Sequence, residues 1–130
     1  MPQYQLSKSS IKKLSPEQIE LIKKHWIPEI GQKIVLEPSY RSYTIKRIED
    51  GKFDVGSFYV DKSRVLPKTL SESILIHLLA KCCYFNIGNY KDDNGPYWMV
   101  SIDKGYDAWE FRGNTLVDAL REAFKVMVLE

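Results

Sequence analysis

The sequence predicts an α+β protein in which a mostly antiparallel sheet of about five strands is flanked by three helices. Three observations predict this. The local signals run helix, strand, hairpin, helix, hairpin, helix, without the βαβ alternation that a parallel sheet needs. The stretch from Tyr97 to Glu130 reads as strand, tight turn, strand and capped helix. Each expected helix also opens on a polar capping residue followed by an apolar stripe. A length of 130 residues is one domain's worth of chain, and long enough to bury a core. The expected organisation is a polar arm over residues 1–14 and a single domain over 15–130.

The C-terminal stretch is the most decodable. Trp98, Val100 and Ile102 sit two apart and share one strand face, while Tyr97, Met99 and Ser101 share the other. Asp103-Lys104-Gly105 fits a short hairpin loop, with Gly105 supplying positive φ. The second strand carries Trp109 and Phe111. Thr115 then caps a helix, with Asp118 three residues on. Leu116, Ala119, Leu120, Ala123, Phe124, Met127 and Val128 make its apolar stripe.

Towards the N-terminus, residues 1–14 are polar with Lys8, Lys12 and Lys13, as in a solvated arm or an edge strand. Ser15-Pro16-Glu17-Gln18 is a capping box with proline at the first helical position, and Pro28 ends this helix near Trp26. Residues 32–37 read as a strand. Residues 42–48 and 53–60 form a hairpin around Asp50-Gly51, with a bulge at Gly56. Thr69 with Glu72 opens the next helix, whose stripe of Leu70, Ile74, Leu78 and Phe85 is apolar nearly all round. Residues 88–96 read as a polar loop.

Composition narrows the function classes. Apolar and charged contents of 44% and 28% are ordinary for a globular protein. No apolar run reaches membrane-spanning length, and no secretory h-region opens the chain. Cys82 and Cys83 are the only cysteines, and their adjacency suits neither a disulfide framework nor a zinc knuckle. A reduced, cytoplasmic setting is expected. The net charge of +2 is uneven. Residues 1–68 hold 13 Lys/Arg against 8 Asp/Glu (+5), and residues 69–130 hold 6 against 9 (−3).

Few residues carry chemistry. His25 and His77 lack the companions that a zinc site needs, and fit a helix C-terminus and a packed helix respectively. Cys82 reads as a small hydrophobe. Asp92-Asp93-Asn94-Gly95 lacks the alternating ligands of a calcium loop and reads as a solvated turn. There is no phosphate-cradling glycine loop and no nucleophile elbow. No catalytic, cofactor-binding or metal-binding residue is therefore assigned, and no cofactor is expected. The candidate contact residues are Tyr40, Arg41, Tyr43, Lys46 and Arg47, because interleaved aromatics and cations on a sheet can stack bases and bind phosphate. A half-buried strand with a solvated polar face is the alternative. Tyr97, Tyr106 and Trp109 can likewise form an exposed aromatic patch or a core.

The segment Phe111-Arg112-Gly113-Asn114-Thr115-Leu116-Val117-Asp118-Ala119-Leu120, behind an aromatic hairpin, resembles the end of the phage ABA-sandwich domain family. His25-Trp26-Ile27-Pro28-Glu29-Ile30-Gly31 and Val65-Leu66-Pro67 are similar to stretches of uncharacterised phage proteins. Those proteins often have Asp after the glycine, where this chain has Gln32. The resemblance implies a mobile-element origin and a helix–sheet–helix layering, and it carries over no catalytic residue. The expected function is that of a non-enzymatic phage or prophage accessory protein binding another protein. A nucleic-acid-binding protein using the basic N-terminal half is the alternative, and no membrane association is expected.

Overall fold

The computed structural model describes residues 4–37 and 39–129. The protein is α+β with antiparallel sheets, as its pattern predicts. In place of one sheet of about five strands, the described residues form three separate three-stranded sheets, and four helices stand where three are expected. The chain divides into two compact units, Gln5–Leu70 and a C-terminal unit that begins at Ser71.

The strand β1 (Tyr4–Gln5) leads into the first helix of the N-terminal unit, α1 (Lys8–Lys13), which is capped by the Ser7 hydroxyl accepting from the Ser10 N–H. The expected polar arm is thus a short helix from Lys8, and Leu6, Ile11 and Leu14 are buried. Their spacing of three to five residues, hidden among lysines and serines, is what seats it; the first three residues of that arm lie outside the described part of the chain. The helix α2 (Pro16–His25) starts on the full Ser15–Gln18 capping box and ends at Trp26.

The strands β2 (Lys33–Leu36) and β3 (Arg41–Thr44) pair antiparallel, and β7 (Val65–Pro67) joins β2 from the other side. The expected long strand over 42–48 does not continue. Ile45 is fully buried, and its N–H and C=O bind Gln32 and Gly31. The chain therefore turns away, and β4 (Arg47–Glu49) pairs in a second sheet with β5 (Lys52–Asp54), followed by β6 (Tyr59–Asp61). The Asp50-Gly51 turn has φ of 46° and 76°, the two positive values that a tight hairpin turn uses. Gly56 is part of a four-residue turn between β5 and β6, not a bulge, closed by the Val55 N–H on the Phe58 carbonyl at 3.1 Å. A single 3₁₀ turn (Lys62–Arg64) and β8 (Thr69–Leu70) complete the unit.

The C-terminal unit is helix, three-stranded meander, helix. The helix α3 (Glu72–Cys82) is capped by Ser71, and Thr69 lies in β8, so the expected Thr69–Glu72 box is displaced by two residues. Phe85, expected on the stripe of this helix, belongs to a strand. That strand, β9 (Phe85–Asp92), occupies most of the predicted polar loop. It pairs with β10 (Gly95–Lys104), which pairs in turn with β11 (Asp107–Gly113). The sequence of β9 hid it because it is an edge strand, exposed along most of its length, with Gly88 inside it. The helix α4 (Leu116–Met127) begins on Thr115, whose hydroxyl accepts from the Asp118 N–H at 3.2 Å.

Register assigns the two sheet faces. Val100 stands opposite Ile87 and Phe111, and Ile102 opposite Phe85 and Trp109. Val100 and Ile102 are buried, as are Ala119, Leu120, Ala123 and Phe124 of α4. Gly113 lies on this same face, and a Cβ there would stand 2.5 Å from the Ala119 nitrogen, so α4 is seated directly on it. The helix α3 packs against α4, so both helices lie on one side. On the other face, Tyr90, Glu110 and Arg112 are exposed and Tyr97, Met99 and Ser101 are half-buried.

Candidate functional site: the open face of the C-terminal sheet

The uncovered face alternates with the buried one, so it presents Tyr90 of β9, Tyr97, Met99 and Ser101 of β10, and Glu110 and Arg112 of β11. Tyr97 and Tyr90 are direct cross-strand partners. Their rings stack with centroids 5.8 Å apart and planes 26° apart. The Arg112 guanidinium sits 4.5 Å from the Tyr97 centroid, a cation–π contact. It also approaches the Asp92 carboxylate at 3.7 Å. Arginine, tyrosine and tyrosine thus form a row across all three strands. Tyr90 is 48% exposed.

Gly88 fixes the outer end of this row. A Cβ at Gly88 would lie 2.4 Å from the Tyr90 ring, so the ring lies down along its own strand over the glycine. The side chain of Tyr90 is held on the sheet, which keeps low the entropy cost of ordering it when something docks.

Two clefts flank the row. At one end, the β9–β10 turn, Arg112 and the first turns of α4 enclose about 500 Å³. Its cations are already answered, Arg112 by Asp92 and Arg121 by Asp118 at 3.6 Å. At the other end, Tyr84, Asn86, Ser101, Asp103, Ala108 and Glu110 are among the residues lining a cleft of about 440 Å³. No lysine or arginine lines this second cleft, and the Tyr84 ring is 92% exposed.

The residues singled out in the sequence fall elsewhere, in the N-terminal unit. Tyr40 has φ of 61°, and Lys8 lies 5.6 Å from its ring centroid. Arg41 is exposed on β3. Tyr43 packs edge-on against Phe58 at 5.2 Å. Lys46 is exposed between the two sheets, and Arg47 sits in β4, ion-paired with Glu49. Tyr43 and Arg47, expected on one face of one strand, stand on strands of different sheets because the chain turns at Ile45. The pairing with Glu49 holds the Arg47 guanidinium above its ordinary pKa and spends its charge locally.

Of the other expected aromatic patch, Tyr97 lies on the open face, Trp109 lies half-buried on the helix-covered face, and Tyr106 projects fully from the β10–β11 turn. Tyr90 and Arg112 were missed. The signal that finds Tyr90 is the alternation Asn86, Gly88, Tyr90, Asp92, once residues 85–92 are read as a strand, and the signal for Arg112 is the alternation Ala108, Glu110, Arg112 when the last strand is carried past Phe111.

His25 closes α2, and His77 donates from Nδ1 to the Ser73 carbonyl at 2.7 Å. Cys82 and Cys83 are free thiols, and burial pushes the Cys83 thiol above its ordinary pKa. Asp92-Asp93-Asn94-Gly95 is the β9–β10 turn, with the Asp92 carboxylate accepting from the Asn94 N–H at 2.8 Å. Among the described residues, no three His, Cys, Asp or Glu side chains converge as a metal site, and no helix is long and apolar enough to cross a membrane.

Comparison with family models, with curated proteins and with solved structures finds no match to this chain.

Proposed function

We propose that this chain is a non-enzymatic accessory protein of phage or prophage type, working in the cytoplasm by binding another protein, and that the open face of β9–β11 is where the partner docks. The observation that carries the reading is the Arg112–Tyr97–Tyr90 row, laid across an uncovered sheet and pre-ordered by Gly88. Tyrosine, arginine and methionine are the residue types enriched in protein interfaces, and here Met99 adjoins the row. Rigid aromatic area carries binding energy at small entropic cost. The phage assignment rests on the resemblance of Phe111–Leu120 alone. The test is affinity capture from a bacterial lysate treated with nuclease, with wild-type bait beside a Tyr90→Ala/Tyr97→Ala bait. Proteins retained by the wild type and lost from the variant support the reading. An identical set on both baits removes this face from the account.

A second reading is favoured by one observation: the charge asymmetry coincides with the boundary between the units, the residues up to Leu70 holding +5 and those after it −3. The N-terminal unit would then bind nucleic acid through Arg41 and Lys46, with Arg47 released from Glu49. Binding of this kind weakens steeply with salt and is lost when Arg41, Lys46 and Arg47 are neutralised together. Affinity for a duplex or single-stranded oligonucleotide that ignores salt excludes it.

A further inference from the structure

We propose that the occupant of the open sheet face is an extended, basic segment of the partner, whose cationic side chains stack on the Tyr90 ring and enter the cleft between Tyr84, Asp103 and Glu110. This rests on the docking reading above and adds the chemistry of the ligand.

Size argues for a segment. The ten residues of β10 are about 34 Å long, and three strands span about 14 Å, so the face offers roughly 480 Å². A standard interface between globular proteins buries about 800 Å² on each side. The face is too small for that, whereas about ten residues of extended chain are as long as the face.

Charge argues for a basic segment. On this face stand Asp92, Asp103 and Glu110 against the single cation Arg112, and the whole unit from Ser71 carries −3. A polyanion meets repulsion there. The face already shows how it holds a cation: Arg112 lies on Tyr97 and leans on Asp92. The far cleft repeats those ingredients without a cation in its own lining, since it has the exposed Tyr84 and the Asp103 and Glu110 carboxylates, while Lys81 and Lys104 line the adjoining cleft that shares Tyr84 and Asp103. A lysine or arginine supplied by the partner completes it, and Tyr90 offers a second ring along the same line.

The test uses a fluorescein-labelled (Arg-Gly)5 peptide against the full chain, read by anisotropy at low salt, with a (Glu-Gly)5 peptide and a single-stranded oligonucleotide as comparators. The expected result is saturable binding of the basic peptide alone. Asp103→Lys and Glu110→Lys should each weaken it about three- to tenfold, and the two together more. Tyr90→Ala should weaken it similarly, while Lys46→Glu in the other unit leaves it unchanged. All four positions are exposed, so an unchanged urea midpoint shows that each variant is folded. Binding of the basic peptide that ignores Tyr90, Asp103 and Glu110 overturns the inference. So does tighter binding of the oligonucleotide that is lost with Tyr90→Ala, which makes the face a base-stacking platform. If no peptide binds but Tyr90→Ala/Tyr97→Ala still abolishes protein capture, the basic segment is wrong and the docking face stands. If capture is also indifferent to that variant, both fall.

Discussion

Replacing Gly113 by alanine tests how the C-terminal unit is assembled. Gly113 ends β11 on the covered face, opposite Trp98. An added Cβ would stand 2.5 Å from the Ala119 nitrogen and 2.7 Å from the Asp118 Cβ. Ordinary contact is about 3.4–4 Å, so about 1 Å of overlap must be relieved. Only backbone or the root of a side chain is available to move. Moving α4 outward loosens Ala119, Leu120, Ala123 and Phe124, all fully buried. Overpacking of this kind costs about 1–3 kcal/mol. Replacing glycine in a strand returns about 0.5–1 kcal/mol of backbone entropy. The net expectation is a loss of about 1–2 kcal/mol. With a urea slope of about 2 kcal/mol/M, the middle of the usual range, the midpoint falls by roughly 0.5–1 M. Gly88→Ala is the control, because its Cβ meets only the tip of the Tyr90 ring. That ring can swing aside, forfeiting about 0.5–1.5 kcal/mol of stacking against a similar backbone gain, so its stability should barely change. Far-UV circular dichroism through a urea titration measures both. Gly113→Ala as stable as wild type would refute the seating of α4 on the end of β11.

Three further outcomes follow from the packing. Phe124→Ala, at a fully buried site, should cost about 3–5 kcal/mol by denaturant titration, and an unchanged midpoint would take α4 out of the core. Gln32→Ala removes the oxygen that accepts from both the Trp26 indole and the Glu29 N–H, each at 3.1 Å; it should cost about 1–3 kcal/mol and change Trp26 fluorescence, since that ring is buried edge-on to Phe53 at 5.6 Å. The pH profile of Cys83 alkylation by iodoacetamide should lie above that of a free thiol, because burial favours its neutral form in the folded state; a peptide-mapped rate half-maximal at or below the free-thiol pKa would contradict this.

The legible parts of this sequence are those where local chemistry decides alone. Ser15-Pro16-Glu17-Gln18 satisfies backbone donors within four residues, and it caps α2 whatever surrounds it. Asp50-Gly51 and the Thr115 cap are local in the same way. The apolar stripe of α4 is regular enough to read directly, and Ala119, Leu120, Ala123 and Phe124 are buried as it implies. What stayed hidden depends on distant partners. Residues 42–48 alternate like one strand, yet Ile45 is claimed by Gly31 and Gln32 and the strand breaks there. Residues 85–92 carry polar groups on both faces because an edge strand has half its backbone unpaired and little to cover. Their partner is β10, and only that ladder makes them a strand. The docking face was missed with them. Tyr97 was visible, but the row needs Tyr90 from β9 and Arg112 from β11, two positions that the register alone brings beside it. Conversely, Tyr40 to Arg47 look like a platform in one dimension and are divided between two sheets in three.

The most direct test of the account is amide hydrogen exchange on the chain with and without a protein partner captured by the wild type. The docking reading predicts slowed exchange confined to Phe85–Gly113, strongest in β9, whose edge and open face are both exposed in the free chain. Protection confined instead to Arg41–Asp54 in the N-terminal unit would contradict it and move the function to the basic half of the molecule.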